Sequence, residues 1–436
     1  MALSTSRREF LQGAGVAGAI VASGVWSELA AAPSKSPNEK LNIAGIGAGG
    51  MGGNDVAMCA GTQQVNVVAL CDVDDRILAQ AGGQYPGAKT FNDFRVLLEK
   101  MDRRIDAVVV GTPDHIHAPA SIAAMQLGKH CFCEKPLAHN VREVRLMTEL
   151  ARKKKLATQM GTLIHATENY RRVVEIVRSG AIGAVTEAHV FCGKDWGGGE
   201  RPRETPPVPA HLHWDLWLGP APERPYHPCY LPAEWRRWWD FGNGTLGDMA
   251  CHLMDLPYWA LDLAHPTSVE AVGPPVHPET CPRALEVHYE YPARGDRPPV
   301  KLSWYDGDKR PALLAQKQIP DWGMGILFVG AKGMLLADYG RWELYPKANF
   351  AGYKPPKPSI PSSPGHHAEW ILACKGGKPA LCNFDYAGPL SEAVLLGAVA
   401  YRVGRKLQWD AASLSATNCP EAGQYIRRAY RKGWEL

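Results

Sequence analysis

The chain has 436 residues, 45% of them hydrophobic, and a formal net charge of +4. Its 48 basic and 44 acidic residues are interspersed, so neither a nucleic-acid partner nor a polybasic membrane patch is expected. A chain of this length exceeds what one small hydrophobic core organises, which favours two domains.

Residues 1–32 are predicted to be a twin-arginine export signal, and residues 33–40 a linker. Arg7 and Arg8 precede an uncharged stretch, Phe10–Ser27, that is rich in glycine and alanine. Such a stretch is too weakly apolar for a stable membrane anchor, although its 18 residues leave an N-terminal transmembrane helix as the alternative. We therefore expect the twin-arginine export machinery as a partner and the periplasm as the destination.

A glycine-rich turn follows the apolar run 41–46, and a second apolar run, 65–71, ends at an aspartate. This succession of strand, GxGxxG turn, helix, strand and acid is typical of a dinucleotide-binding fold. The glycines permit a tight turn and a close approach to the pyrophosphate, which the helix N-terminus attracts. The residues expected to bind the cofactor here are Gly47, Gly49, Gly50, Met51, Gly52 and Asp72. The register Gly45, Gly47, Gly50 also fits the motif.

The carboxylate of Asp72 favours NAD over NADP, because it accepts hydrogen bonds from ribose hydroxyls and repels a 2′-phosphate. The twin-arginine route carries folded proteins. A dinucleotide fold behind such a signal therefore predicts a tightly bound nucleotide that is exported with its enzyme.

Strands and helices alternate up to about residue 160, which predicts a doubly wound parallel sheet in an NAD-binding Rossmann domain, 41–165. Its ligand is expected at the carboxyl ends of the strands. After the first two strands, the predicted elements are a helix over 94–100, a strand over 105–111, a helix over 118–127, a strand over 129–133, a helix over 141–153 and a strand over 156–160.

Two polar clusters follow predicted strands and should face the cofactor. The first contains Thr112, Pro113, His115 and His117, with a plain loop and helix cap as the alternative. The second is Glu134-Lys135-Pro136, where a lysine directly after a buried strand is a positioned cation at the active edge of the sheet.

The second half, 166–436, is predicted to be an α+β domain for substrate binding and oligomerisation, with an open, mostly antiparallel sheet. Strict alternation of apolar and polar residues over 285–291 indicates a strand with one wet face. Residues 196–239 are rich in Pro, Trp and His, and such a long irregular stretch is usually functional or wraps a partner subunit. Further strands are predicted at 300–304, 326–329 and 334–337, and helices near 388–402 and 418–432, which could pack back on the first domain.

Asp248 and His252 are four residues apart after the turn Gly242–Gly247, so on a helix they share one face near its N-terminus. This pair is the predicted centre of the chemistry, and a helix cap for Asp248 and a core histidine for His252 are the alternatives. The 11 cysteines form no CxxC pair, so reduced buried thiols and no metal site are expected.

The glycine motif, the Thr-Pro-Asp-His-x-His run, Glu-Lys-Pro and Gly-Asp-x-x-x-His occur in the order and spacing of one family. Over nearly the whole chain after the signal, the sequence resembles the glucose–fructose oxidoreductase and inositol dehydrogenase (Gfo/Idh/MocA) family. The resemblance implies that Lys135, Asp248 and His252 surround a substrate carbinol that faces the nicotinamide. His252 would then be the general base, Asp248 would orient substrate or base, and Lys135 would bind the reacting hydroxyl and the nicotinamide ribose.

The resemblance also implies an often cis Pro136 and an oligomer, a dimer or tetramer, formed through the antiparallel sheet. Candidate substrate contacts are His165, Tyr170, Arg171, Trp238 and Trp239, and aromatic rings such as Trp214 and Trp217 offer stacking platforms for sugars, with core packing as the alternative.

We expect an NAD-dependent sugar or polyol oxidoreductase with a tightly bound cofactor. The alternative is an NAD-dependent glycoside hydrolase that oxidises its sugar transiently with no net redox change. A binding or scaffold protein with a vestigial cofactor site is the third interpretation, and the intact Lys135, Asp248 and His252 argue against it.

Overall fold

The computed structural model describes residues 39–436. The predicted export signal and almost all of the predicted linker lie outside the described residues.

The first sheet is parallel and takes its strands from the N-terminal part of the described chain. Their order is β3-β2-β1-β4-β5-β6, the order of a Rossmann fold, with the reversal between β1 and β4. Every residue of the all-apolar strand β4 is buried, as expected for a strand covered on both faces. The strands are β1 Leu41–Ile46, β2 Val65–Cys71, β3 Lys89–Phe91, β4 Ala107–Val110, β5 His130–Cys133 and β6 Thr158–Met160.

Five helices connect these strands: α1 Gly50–Gly61, α2 Asp75–Gln84, α3 Phe94–Met101, α4 Asp114–Gln126 and α5 Val141–Lys154. The carboxylate of Asp74 caps α2, and the side chain of Asn140 caps α5. Helix α4 begins four residues before the predicted 118, because the polar run Asp114–His117 forms its buried first turn instead of a loop. The sequence did not predict α2 or the short strand β3.

The second sheet has nine strands in the order β13-β12-β11-β7-β10-β9-β8-β14-β15. Only its β7–β10 pair is parallel, which confirms the predicted mostly antiparallel sheet. The predicted alternation appears in β9, where Val287, Tyr289 and Tyr291 are buried. The strands are β7 Val185–Cys192, β8 Ser268–Val272, β9 Glu286–Tyr291, β10 Val300–Asp306, β11 Met324–Gly330, β12 Gly333–Ala337, β13 Trp342–Tyr345, β14 Leu407–Asp410 and β15 Ser415–Ala416.

The remaining helices are α6 Glu168–Arg178, α7 Trp214–Leu218, α8 Gly244–Leu253, α9 Asp255–Leu261, α10 Ala312–Gln316, α11 His366–Cys374, α12 Phe384–Val403 and α13 Gly423–Ile426. The long, mostly buried α12 packs against α5, α8 and β8, and so joins the two sheets into one core.

The helix predicted over 418–432 is wrong, because only the short α13 is helical in this region. Side chains beyond α13 bond to different elements instead of continuing a helix. Arg428 and Tyr430 bond to Glu143 of α5, and Arg431 bonds to Asp215 of α7. The C-terminal tail, residues 427–436, therefore packs on the nucleotide-binding half.

Among residues 39–436, no helix has both the length and the apolar character needed to cross a membrane. All eleven cysteines are in the described part of the chain, and none forms a disulfide.

Candidate active site

A cavity of about 1070 Å³ lies at the carboxyl ends of β1, β2, β4 and β5. This is the edge at which a doubly wound sheet binds its ligand. Ten of the predicted cofactor residues line it: Gly47, Gly49, Gly50, Met51, Asp72, Thr112, Pro113, His117, Glu134 and Lys135. His252 lines the same cavity.

The glycine turn fits a dinucleotide because its backbone packs too closely for side chains. Gly47 has φ +88°, and a Cβ there would lie 2.6 Å from the carbonyl oxygen of Gly111. A Cβ on Gly52 would lie 2.4 Å from the carbonyl oxygen of Gly47. Gly52 does not line the cavity, and its role is to bring α1 close to the ends of β1 and β4.

Gly52→Ala is expected to weaken NAD binding by about tenfold or more, because overpacking here costs roughly 1–3 kcal/mol and must push the turn outward. The measurement is NAD affinity of the nucleotide-stripped, refolded protein by calorimetry. Gly61→Ala at the other end of α1 is the matched control, since a Cβ there meets nothing within 4 Å. Equal affinities in the two variants would contradict this role.

Asp72 is fixed at the cavity wall by two backbone groups. Its Oδ2 accepts from the N–H of Ala48 at 2.9 Å, and its Oδ1 accepts from the N–H of Asp74 at 3.0 Å. Burial raises the pKa of Asp72, and these N–H groups oppose the shift. Each carboxylate oxygen keeps a lone pair for a ribose hydroxyl.

Lys135, Asp248 and Arg236 form a charged cluster beside the cavity. The Lys135 Nζ donates to Asp248 Oδ1 at 2.8 Å and to the Asp248 carbonyl oxygen at 2.7 Å. The Arg236 Nε donates to the same Oδ1 at 2.9 Å. Burial opposes both charges of the Lys135–Asp248 pair, but their mutual attraction outweighs it. The pKa of Asp248 is therefore lowered and that of Lys135 raised. The Lys135–Pro136 peptide bond is cis.

Asp248 does not cap its helix, because α8 begins at Gly244 and places Asp248 in the second turn. His252 lies one turn further along, half-buried at the cavity wall. Burial, with the nearby Lys135 charge, lowers the pKa of His252 to about 3. Its imidazole is therefore neutral at neutral pH. The hydroxyl of Tyr170 donates to the His252 carbonyl oxygen at 3.0 Å and so positions the helix behind it.

Asp114 and Arg236 are cavity residues that the sequence did not single out. Asp114 is 4% exposed, and burial raises its pKa to about 8 against the opposing charges of Arg236 and Lys135, which favours the protonated carboxyl near neutral pH. The sequence did contain an indication of Asp114, because this residue lies within the Thr-Pro-Asp-His-x-His run. Arg236 gave no signal, because it lies in the irregular segment and its partner Asp248 is defined only by the fold.

A buried acid pair lies behind the glycine turn. Asp55 of α1 interacts with Glu134, and its Oδ1 lies 2.9 Å from the Nε2 of His367. Burial raises the pKa of both carboxyl groups, and the negative charge of Asp55 adds to the shift of Glu134. The two carboxyl groups therefore hold a proton above the pH at which exposed acids lose theirs.

The pair is expected to lower the free energy of unfolding as the pH rises from about 4, where unfolded carboxyls ionise, through the raised pKa values of the folded pair. In this range the folded state holds more protons than the unfolded state. Asp55→Asn should therefore lose less stability than the wild type between pH 5 and pH 8. Thermal unfolding across that range measures the difference, with the exposed Asp385→Asn as control. Parallel curves for the wild type and Asp55→Asn would refute the expectation.

His115 does not reach the cavity, contrary to the prediction. It is fully buried, and its Nε2 lies 2.9 Å from the carbonyl oxygen of Trp217. His117 lines the cavity, and its ring nitrogens lie 2.8 Å from the carbonyl oxygens of Thr112 and Pro136. It therefore joins the two polar clusters.

None of the five predicted substrate residues lines the cavity. His165 is buried against Asp255, and Arg171 is buried against Glu369. The indole N–H groups of Trp238 and Trp239 are bonded to backbone carbonyls in the protein interior. These four side chains are bonded within the described chain, and Tyr170 lies behind His252. Histidine, arginine and tryptophan occur both in sugar-binding sites and in protein interiors. Residue type alone therefore does not tell the two locations apart.

The irregular segment 196–239 forms much of the remaining wall. Trp217 lines the cavity, and Trp214 stacks behind it at 4.8 Å between ring centroids. The other wall residues from this segment are His211, Leu212, Leu216, Tyr226, Pro228, Leu231, Pro232, Ala233, Trp235 and Arg236.

Two family models match the chain in succession. The oxidoreductase family's NAD-binding Rossmann fold matches residues 41–162, and the same family's C-terminal alpha/beta domain matches residues 167–298. The chain belongs to the Gfo/Idh/MocA oxidoreductase family. The match to an NAD-binding fold confirms the prediction that the cofactor is NAD.

Relatives in this family include enzymes of two kinds. A levoglucosan dehydrogenase of Pseudarthrobacter phenanthrenivorans is 25% identical over 43% of this chain and 40% of its own. A glycosyl hydrolase family 109 protein of Shewanella baltica is 30% identical over 41% of this chain and 43% of its own. The chain thus spans about two fifths of the length of the curated relatives that it matches.

Structural similarity covers a larger share of the chain than these sequence alignments do. The structure of GenD2 from gentamicin A biosynthesis, in complex with NAD, superposes with a TM-score of 0.60 at 17% identity. The superposition covers 90% of this chain and all of GenD2. The fold of the described chain is therefore that of GenD2 over most of its length.

Proposed function

We propose that the protein is an NAD-dependent oxidoreductase that acts on a carbinol of a sugar or polyol. The observation that carries the proposal is that the glycine turn, Lys135 and His252 line one cavity. A dinucleotide held at the turn and a substrate beside Lys135 would share that space.

The glycine turn, Asp72, Thr112 and Pro113 would hold the NAD, which supplies hydride acceptance or donation when bound. Pro113 precedes the N-terminus of α4, and Gly49 precedes that of α1. Two helix N-termini therefore open toward the cavity with their unpaired N–H groups, which favours the pyrophosphate.

His252 serves as the general base for the substrate hydroxyl. Its neutral imidazole has a lone pair available at neutral pH, as proton acceptance requires. Its low basicity is offset by Lys135, because an ammonium group stabilises the alkoxide that forms as the proton leaves.

Asp248 is the positioning residue for Lys135. It accepts two of the three ammonium hydrogens through Oδ1 and its carbonyl oxygen, which leaves one for the substrate. The same carboxylate keeps Lys135 charged in a site that burial would otherwise discharge. Arg236 shares this carboxylate and fixes it from the other side.

The proposal that the substrate is a sugar rests on the residues of the remaining cavity wall. Trp217, Tyr226 and Trp235 offer aromatic rings for the apolar faces of a sugar. Asp114, whose protonated form is favoured near neutral pH, and Arg236 offer donors for its hydroxyls. Dehydrogenation of levoglucosan by a relative agrees with this class.

We further propose export by the twin-arginine route to the periplasm, with the nucleotide already bound. The sequence pattern of residues 1–32 supports this. The antiparallel sheet is the proposed interface of a homo-oligomer.

A glycosidase that uses NAD without net redox change is the second candidate. The match to a glycosyl hydrolase family 109 protein favours it. His252 and Lys135 would then assist the same proton transfer. Elimination of the aglycone from the oxidised sugar, addition of water in its place and return of the hydride would complete a hydrolysis without net redox change.

Two measurements on the purified full chain distinguish these functions. The bound nucleotide is identified by mass after mild denaturation, and the expected result is one NAD per chain. The protein is then incubated with a panel of sugars, polyols and aryl glycosides. A substrate-dependent change at 340 nm supports the oxidoreductase, and aglycone release without it supports the hydrolase. Absence of nucleotide and of both activities would leave a binding protein.

A further inference from the structure

A second, smaller cavity of about 40 Å³ lies apart from the nucleotide cavity. Four separate segments line it: the loop that follows Pro136, Asn243 just before α8, the second half of α12, and α13 with the residues after it. Its lining contains the side chains of His139, Asn140, Arg402 and Arg428, and no carboxylate.

Three of these side chains carry buried nitrogen atoms that have no hydrogen-bond partner in the described chain: Asn140 Nδ2, Arg428 Nη1 and His139 Nδ1. The orientation of Asn140 is fixed, because its Oδ1 accepts from the N–H of Glu143 at 3.1 Å. Its NH₂ group is therefore the unpartnered side. In Arg428, Nε donates to Glu143 and Nη2 donates to the His115 carbonyl oxygen, so Nη1 is the nitrogen left over.

The charge of this cavity is also unbalanced. Glu143 neutralises Arg428. Arg402 lies 4.9 Å from the ring of Trp239 and 4.1 Å from that of Tyr425, and it has no ion pair among residues 39–436. Burial lowers the pKa of Arg402, the direction expected of a cation without a counter-charge. Arg427 also lines the cavity, is exposed, and has no ion pair among residues 39–436. The positive charge of Arg402 is therefore the partly buried one that lacks a counter-charge.

We propose that this cavity is a binding site for a small inorganic anion of the size of chloride. The anion accepts from Asn140 Nδ2 and Arg428 Nη1 and is the counter-ion of Arg402. A single water could also accept from the two donors, and a volume of about 40 Å³ has room for it. Water would leave the charge of Arg402 unpaired in a partly buried place, so the charge balance decides for the anion.

His139 fits either occupant. Its Nε2 lies 2.8 Å from the Trp239 carbonyl oxygen and must carry a hydrogen to bond it. Burial, with the nearby Arg428 charge, lowers the pKa of His139, so its Nδ1 is an acceptor in the neutral ring when the cavity holds water. An anion would oppose this shift and favour the protonated ring, whose Nδ1–H is a third donor.

An anion in this cavity would link the C-terminal tail to helices α5 and α12. Arg428 belongs to the tail, Asn140 caps α5, and Arg402 ends α12. The same tail carries Trp434, which lines the nucleotide cavity. The anion would thereby stabilise one wall of the nucleotide site without touching the nucleotide.

The test compares thermal unfolding of the purified protein in sodium chloride and in sodium gluconate at equal ionic strength and pH. Chloride is expected to raise the Tm by about 2 °C when it is well above its dissociation constant. Crystals soaked in sodium bromide should show an anomalous peak between Asn140, Arg402 and Arg428.

Two variants locate the effect. Arg402→Met keeps the stacking between Trp239 and Tyr425 but removes the charge. Asn140→Asp keeps the helix cap and places a carboxylate where the anion would lie. Both are expected to abolish the chloride shift. The control Arg405→Met, at an exposed ion pair just beyond α12, should retain it.

Equal Tm values in chloride and gluconate, with no bromide peak, would mean that water alone fills the cavity and would overturn the proposal. A chloride shift that persists in both Arg402→Met and Asn140→Asp would place the anion elsewhere and overturn it as well. Should one variant fail to fold, the other and the bromide peak still decide.

Discussion

Lys135→Met is expected to lower kcat/KM by about a hundredfold or more. The substitution keeps the length and apolar stem of the side chain but removes the ammonium group that would face the developing alkoxide. Nucleotide content should be less affected, because the glycine turn is unchanged. The measurement is steady-state kinetics with the best substrate from the panel, together with the mass of bound nucleotide.

The structure adds a second reason for a large effect. Without the ammonium, Asp248 keeps Arg236 as its remaining cationic partner and loses the donor at Oδ1 and at its carbonyl oxygen. Lys153→Met is the control, since Lys153 is exposed on α5. Activity of Lys135→Met within a few-fold of this control would remove Lys135 from the mechanism.

His252→Asn is expected to lower kcat by roughly 10²–10⁴-fold, the contribution typical of a general base. Asparagine preserves polarity and approximate volume, so nucleotide binding and thermal stability should change little. The exposed His213→Asn serves as control. Near-normal turnover in His252→Asn would assign proton removal to another group.

The pH profile of the wild type provides an independent check on His252. Because the pKa of His252 is lowered to about 3, the imidazole stays unprotonated throughout the pH range 5–8. We therefore expect no loss of kcat/KM through His252 protonation between pH 8 and pH 5. A fall centred near pH 6.5 that disappears in His252→Asn would contradict this environment.

The parallel sheet was predictable because its signals are local. Strands β1, β2, β4 and β5 are short, mostly apolar runs, and glycine, proline or polar residues mark where each one ends. The antiparallel β9 was equally clear from its strict alternation. The helix predicted over 418–432 failed for the opposite reason. Its residues are fixed by long-range bonds to Glu143 and Asp215, which no local pattern reveals.

In the candidate site, too, residues within a local motif were predictable, and contacts between distant segments were not. Lys135 and Asp248 were each identified by a motif, but 113 residues separate them and only the fold shows their 2.8 Å contact. Arg236 could not be found, because the segment that carries it has no periodicity. Trp238 and Trp239 were predicted at the substrate site because residue type alone does not distinguish a tryptophan in a packed interior from one on a sugar-binding wall.

The irregular wall has an evolutionary consequence. The glycine turn follows β1 and Lys135 follows β5 in the parallel sheet, whereas segment 196–239 contains no strand of either sheet. Substitutions, insertions and deletions in this segment that spare Arg236 can reshape the rest of this wall while the glycine turn, Lys135 and Asp248 stay in place. Under the proposed function, one scaffold can therefore serve different sugars, with selection acting mainly on a single segment that contains only short helices and loops.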